Sequence, residues 1–414
     1  MNNDIEKILK ESLFFTGAGF SKPAGCKLSS EMLKDLESRS NDETENSVFT
    51  KTERKAIKFI LSCLDYQARY RTLESNGKYS YTPNIEEFAQ LLRRIKNREN
   101  LLPYPVTGNW SDKITIIEQD YKIENRSSEA DVVWSSIENK IKTNCYNDWL
   151  NHNSSEYLKP LKELLKNYST NNDKIEIFTL NNDLVLENFF KEENSVYTGF
   201  VNKKWVGFDR RNIDENTYNA SRINYFKLHG SIDWARLTDG NIVKSNETEE
   251  NIEAKPFLIF GHGTKIYTID PFFSLLNYFK ESLHDKKYYF IVGYSFFDPH
   301  INNLFFNALS LEQEKFMIII NPNLASDIKE EDFEMNKNLK ILKKESKIKV
   351  TDYFSNIQKN PIYTEMPDFN ITKISSESFE YIKATSEEFL NNITNYLSFI
   401  DKLRKDKENK TKLF

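Results

Sequence analysis

Residues Phe14-Phe15-Thr16-Gly17-Ala18-Gly19-Phe20-Ser21 decide how the chain is read. An apolar run enters a glycine-rich turn. In an open α/β sheet that junction is where a strand ends and backbone N–H groups are presented to a phosphate. The stretch therefore suggests a nucleotide pyrophosphate. Taken alone, Gly17-x-Gly19 suits a plain tight turn equally well, because a full GxGxxG is missing and no acidic residue ends an obvious second strand.

Working outward, glycine is scarce: 12 in 414 residues, where average usage of about 7% would give about 29. Gly17, Gly19, Gly25, Gly230, Gly261, Gly263 and Gly293 stand at the ends of short apolar runs. These runs are Leu13 to Thr16, Ile175 to Leu180, Tyr225 to Leu228, Phe257 to Phe260, Tyr288 to Val292 and Phe316 to Ile320. Near-continuous apolar runs of this length suit parallel strands covered on both faces. Helical spacing appears between them, in Pro271 to His284 and after Asp298, where Asp298-Pro299 offers an N-cap and a first-turn proline. Strand alternating with helix predicts an α/β fold built on a Rossmann-like open parallel sheet.

Between the first two runs lie mostly helical patterns at Glu53 to Arg71, Ile85 to Lys96, Asp131 to Leu150 and Glu156 to Asn167. They predict a large helical insertion, about 41–170, after the first βα unit. Asp239-Gly240 between alternating segments predicts a hairpin over Asp233 to Lys244. Beyond Pro322 the sheet signal fades into the charged segment Asp327 to Lys349. One amphipathic helix is then expected to carry Phe379, Ile382, Phe389, Ile393, Leu397 and Ile400. This gives a catalytic domain over 1–325 and a C-terminal helical extension over 326–414.

Composition excludes several classes. Hydrophobic residues are 39% and charged residues 29% of the chain, so it is neither disordered nor fibrous. Against 57 Lys and Arg stand 62 Asp and Glu, a net charge of −5, which does not favour direct nucleic-acid binding through phosphates. No signal peptide and no bilayer-length apolar stretch is legible, so a cytoplasmic protein without membrane association is expected. Cys26, Cys63 and Cys145 are too few and too scattered for a disulfide framework or a four-cysteine zinc site, and His152, His284 and His300 lack ligand spacing. No metal is expected. His262, between Gly261 and Gly263, reads as a loop residue.

Thr179-Leu180-Asn181-Asn182-Asp183 ends the second strand and His229-Gly230-Ser231 the third, so an amide, a carboxylate and an imidazole leave the sheet at one edge. Asn181 and Asp183 also suit capping of the helix Leu184 to Phe190, and His229 alone suits a structural role. Their convergence is what favours chemistry.

This constellation resembles the sirtuin (silent information regulator) superfamily. Gly17-Ala18-Gly19-x-Ser21 with Ala24-Gly25 is similar to its phosphate loop, Thr179-x-Asn181-x-Asp183 to the loop around nicotinamide, and His229-Gly230 to its catalytic histidine. Gly293-Tyr294-Ser295 and Ile320-Asn321 are similar to the elements that hold phosphate and adenosine ribose. The likeness spans roughly residues 10–325. Two features depart from the deacetylases: Cys26-Lys27-Leu28-Ser29-Ser30 replaces their proline and Asp-Phe-Arg element, and Ser231 to Val292 holds no cysteine for their zinc ribbon.

What remains resembles the sirtuin-like NAD hydrolases of bacterial anti-phage defence, through the Gly293 to Asp298 pattern and Ile85-Glu86. That resemblance implies NAD+ as substrate, cleaved at the nicotinamide N-glycosidic bond to nicotinamide and ADP-ribose. It implies Asn181, His229 and Asp183 as catalytic residues. Gly17, Ala18, Gly19, Ser21, Thr179, Gly293, Ser295 and Asn321 would bind the dinucleotide. A homo-oligomer is implied as well, and a separate regulatory partner such as a HerA-type ATPase. NAD-dependent protein deacylation or ADP-ribosylation, and a non-catalytic module sensing NAD or ADP-ribose, stay open as alternatives.

Overall fold

The computed structural model describes residues 3–74, 82–98, 110–126, 131–167, 174–193, 195–245, 251–260, 269–311, 314–325, 327–358 and 374–411. His262 and its flanking glycines lie outside them. The strands are β1 (Ser12–Thr16), β2 (Ile175–Thr179), β3 (Val196–Tyr197), β4 (Phe200–Val201), β5 (Lys204–Trp205), β6 (Ile223–Lys227), β7 (Trp234–Leu237), β8 (Ile242–Lys244), β9 (Ile252–Ala254), β10 (Tyr288–Val292), β11 (Phe316–Ile320), β12 (Phe333–Asn336), β13 (Leu339–Leu342) and β14 (Phe379–Ile382).

Nine of them form one sheet in the order β12-β13-β14-β11-β10-β1-β2-β6-β3. From β14 to β6 every pairing is parallel. Numbered along the chain, these six strands lie in the order 3-2-1-4-5-6, which is the Rossmann arrangement. The order reverses between β1 and β10, so the switch point falls where Phe14-Phe15-Thr16 runs into its glycines.

The apolar runs become strands because both faces are covered. Every residue of β1 and of β10 is buried. Phe14 stacks on its register partner Phe290 at 5.0 Å on one face, while Phe15 meets Phe279, Tyr294 and Phe305 on the other. Phe178 and Phe226, also in register, stack at 4.2 Å. Each large side chain buried in this way contributes about 1.5–3 kcal/mol.

Contacts divide the chain into two compact units. The described parts of Met1–Cys26, His152–Glu253 and Tyr267–Phe414 make up the first, and those of Lys27–Asn151 and Ala254–Ile266 the second. The second unit is helical. It holds Ser29–Asn41, Lys51–Glu74, Ile85–Lys96, Trp110–Asn125 and Val132–Lys140, the last continuing through a π turn at Ile141–Cys145 into Tyr146–Trp149. Asn84 caps Ile85–Lys96 by accepting from the Glu86 and Glu87 N–H groups. The helical segment starts earlier than position 41, because Ser29–Asn41 is itself a helix with only Met32, Leu33, Leu36 and Ser40 buried. Phe257 to Phe260, expected as a strand, has only an isolated bridge at Leu258.

In the first unit the expected hairpin is present as β7 paired antiparallel with β8. The reading of 326–414 as a helical extension needs correction. β12 and β13 form an antiparallel hairpin inside the charged segment, and β14 pairs with β11 as the sixth parallel strand. Phe379 and Ile382 thus belong to a strand rather than to the final helix. All four residues of β14 are buried, Glu380 included, and Lys347 pairs with that carboxylate. The helix begins only after Thr385, whose side chain caps Ser386–Asn391 together with Glu388. The compact unit therefore crosses the 325/326 boundary. Among the described residues no helix is long and apolar enough to cross a membrane.

Candidate active site

Strand register brings the sequence-selected residues together. Thr16 is level with Thr179 and Val292, Thr179 with Lys227, and Val292 with Ile320. One step past that row the chain releases Gly17, Leu180, Leu228, Gly293 and Asn321 from the same carboxyl edge, where open α/β sheets bind their ligands.

At the switch point the two glycine loops touch backbone to backbone. A Cβ on Gly293, which has φ of +65°, would stand 2.5 Å from Gly19 C and from Phe20 N, closer than any real contact. Gly17 N–H donates to Val292 O at 3.1 Å and Gly19 N–H to Gly293 O at 3.0 Å. Both of these glycine N–H groups are spent inside the protein. These glycines serve close approach.

Asn181 is buried and crosses to the β1 loop. Its Nδ2 donates to Gly17 O at 3.0 Å and to Ser21 Oγ at 3.1 Å. With Nδ2 committed, Oδ1 is the end of the amide able to accept from a hydroxyl or a water. Thr179 Oγ1 accepts from Asn181 N–H and donates to Thr16 O; the hydroxyl shapes the loop and is itself fully buried. Asp183 Oδ1 accepts from Val185 N–H at 3.0 Å, at the start of the short helix Val185–Phe189. Its carboxylate is 2% exposed. Burial, followed by the Asp183 charge, pushes the Cys26 thiol up to about 12. The Tyr157 phenol is raised by burial and by the same charge, so thiol and phenol both stay protonated around this carboxylate.

His229 follows β6 and faces Asp298, with Nε2 and Oδ2 3.2 Å apart and both residues buried. Asn182 ties the two loops together, its Nδ2 donating to His229 O at 2.9 Å and Gly230 O at 3.1 Å. Ser295 is exposed on the β10 loop. Asn321 donates from Nδ2 to Tyr294 O at 3.2 Å and accepts at Oδ1 from Asn323 N–H. One N–H and one oxygen lone pair of its amide are used in this way to hold the loop. Among the described residues no group of three or more His, Cys, Asp or Glu is placed to hold a metal.

One known family matches part of the chain. Residues 175–342 match a SIR2-like domain. The SIR2-like segment runs from β2 to β13 and holds Asn181, Asp183, His229, Gly293, Ser295 and Asn321; β1, its glycine turn and β14 flank it within the same sheet. Two solved structures are similar over 97% of this chain at 11% identity. One is a Sir2 homologue mutant in complex with 2'-O-acetyl ADP ribose, 98% covered with a TM-score of 0.36. The other is a Sir2 homologue–NAD complex, 95% covered with a TM-score of 0.35. Among curated proteins no relative matches.

Beneath the SIR2-like loops lies a residue that sequence reasoning missed. Lys227, fully buried at the end of β6, donates from Nζ to Asp183 O, to Ser231 Oγ at 2.7 Å and to Glu187 Oε1 at 2.9 Å. It fastens the Asp183 and His229 loops from below. Glu187 is raised by burial, which outweighs the Lys227 charge, and its Oε2 is without a hydrogen bond. The signal was present as a lysine inside the apolar run Tyr225 to Leu228. Removing one member of a buried pair costs about 3–5 kcal/mol. Lys227→Met is accordingly expected to lower the unfolding free energy by that amount in urea titration, and adding Glu187→Gln to recover part of it.

Proposed function

We propose that the protein is an NAD+ hydrolase that releases nicotinamide and leaves ADP-ribose. The observation that carries this reading is the convergence, in a SIR2-like domain, of an amide, a carboxylate and an imidazole at the switch-point edge of a Rossmann sheet. A non-catalytic NAD-binding module has no need of the imidazole.

Nicotinamide leaves as a neutral base while the ribose gains oxocarbenium character. The site must hold the carboxamide, aim a water at the anomeric carbon and remove its proton. Asp183, a buried carboxylate, suits the carboxamide N–H. Asn181, oriented by Gly17 O and Ser21 Oγ, presents Oδ1 to the water or a ribose hydroxyl. His229 is the general base. Gly17, Ala18, Gly19, Ser21, Gly293 and Ser295 border the pyrophosphate path, with Thr179 and Asn321 shaping it.

In the cell such an activity depletes a cytoplasmic cofactor and has to be restrained. We therefore propose an effector of anti-phage defence, working as a homo-oligomer under a separate regulator such as a HerA-type ATPase. The direct test is incubation of the purified chain with NAD+, alone and with proteins encoded beside it, followed by chromatography. Nicotinamide and ADP-ribose in equal amounts are expected; NAD+ left intact throughout would overturn the hydrolase reading.

A further inference from the structure

We infer that Asp298 is a positioning residue for His229, holding the imidazole as the Nε2–H tautomer so that Nδ1 is the nitrogen that takes the proton. The inference deepens the hydrolase reading above and rests on it for its catalytic consequence.

The geometry is that of a carboxylate with both oxygens assigned. Oδ1 accepts from the His300 and Ile301 N–H groups at 2.9 and 3.2 Å, capping the helix Pro299–Leu311, while Oδ2 lies 3.2 Å from His229 Nε2. An ionised carboxylate only accepts hydrogen bonds, so the nitrogen facing it carries the hydrogen. Asp298 is itself held from the other side. Its N–H donates to Tyr294 Oη at 3.2 Å, that hydroxyl donates to Asn302 Oδ1 at 2.9 Å, and Asn302 Nδ2 donates to Phe296 O at 2.7 Å. Asp298, Tyr294, Phe296 and Asn302 are all buried. The β10 loop thereby sets the orientation of a side chain that arrives from β6.

The proton balance follows. Water gives its proton to Nδ1 as its oxygen bonds the anomeric carbon; the N-glycosidic bond breaks and its electron pair leaves with nicotinamide. The imidazolium then carries hydrogens on both nitrogens, with Nε2–H still against the Asp298 carboxylate.

Asp298→Asn separates this role from helix capping. Asparagine is as good a cap as aspartate, and capping requires Oδ1 to face the helix N–H groups. Nδ2 is then turned on His229 Nε2, a donor facing a site that had been a donor, which forces hydrogen onto Nδ1 and removes the base. The test uses chain labelled with 15N-histidine, with the His229 resonances assigned by comparison with His229→Gln. The expected spectrum is an Nε2–H tautomer in the parent chain and an Nδ1–H tautomer in Asp298→Asn. In parallel, kcat for nicotinamide release should fall by on the order of 10⁴-fold, the scale seen when a base histidine is locked in the wrong tautomer, with KM for NAD+ unchanged. Asp298→Ser, which keeps a cap without reaching the ring, should give a mixture of tautomers and a smaller loss. The same tautomer in the parent and Asp298→Asn chains, or an unaltered kcat, overturns the inference. The spectrum is read without substrate: a tautomer switch in a chain that leaves NAD+ intact would uphold the positioning and sink only the hydrolase reading.

Discussion

Asn181→Ala and His229→Ala are each expected to reduce nicotinamide release from NAD+ by about 10²–10⁴-fold, the range that a positioned proton-transfer group supplies. In the proposed reaction the two act on the same water. Without the Asn181 amide the water loses the acceptor that aims it, and without His229 it keeps its proton. The double variant should therefore be scarcely worse than either single one, since residues that serve one step are strongly non-additive. Each substitution also has a structural cost. Asn181→Ala strips the hydrogen bonds from Gly17 O and Ser21 Oγ, a loss of about 1–3 kcal/mol for groups left unsatisfied. His229→Ala withdraws the ring from the Asp298 carboxylate. Initial rates have to be read beside melting temperatures. Rates near the parent value in well-folded variants would remove Asn181 and His229 from the chemistry.

Much of this site is legible in the sequence because parallel strands obey a simple rule. An apolar run that ends in a polar or glycine-rich dipeptide releases that dipeptide at the carboxyl edge, and every such run joins the same edge. Thr16-Gly17, Thr179 to Asp183, Leu228-His229 and Val292-Gly293 are thus assigned to one edge by the sequence alone. Contacts between loops carry no such rule. Nothing in the spacing shows that Gly19 N–H is taken by Gly293 O, or that Asn321 spends its amide on Tyr294 O. Asp298 reads as a helix cap, which it is, and its second oxygen reaches His229 only because two loops meet in space.

The missed strand has a different cause. Phe379 and Ile382 are three apart, which fits a helical period, and Glu380 between them reads as a polar face. In the fold Glu380 is buried and paired with Lys347, so a charged residue occupies an interior position of a central strand. Period alone cannot distinguish that from an amphipathic turn. The capping box Thr385-x-x-Glu388 was the available sign that the helix starts later.

A chain ending at residue 325 is expected not to fold, although the fading sheet signal in the sequence places a domain boundary there. Truncation removes β14 and leaves β11 as a bare, apolar edge, with Met317, Ile318, Ile319 and Ile320 losing their partners. It also removes Ser386, whose Oγ donates to Gly19 O at 3.0 Å and Phe20 O at 3.1 Å and so clasps the glycine turn itself. Phe389, Leu390, Ile393, Tyr396, Leu397 and Ile400 go with it, from the same core cluster as Phe14, Phe290 and Ile318. Six such side chains at about 1.5–3 kcal/mol each amount to roughly 9–18 kcal/mol of burial, against a net stability of about 5–15 kcal/mol for a typical domain. The truncated chain should be insoluble or protease-sensitive, without a cooperative melt by circular dichroism. If residues 1–325 instead gave a soluble chain with a cooperative transition that still bound NAD+, the last strand would be an accessory and the segment 326–414 an independent addition. The clasp on Gly19 and Phe20 argues for the first result, because the turn at the switch point is completed by the end of the chain.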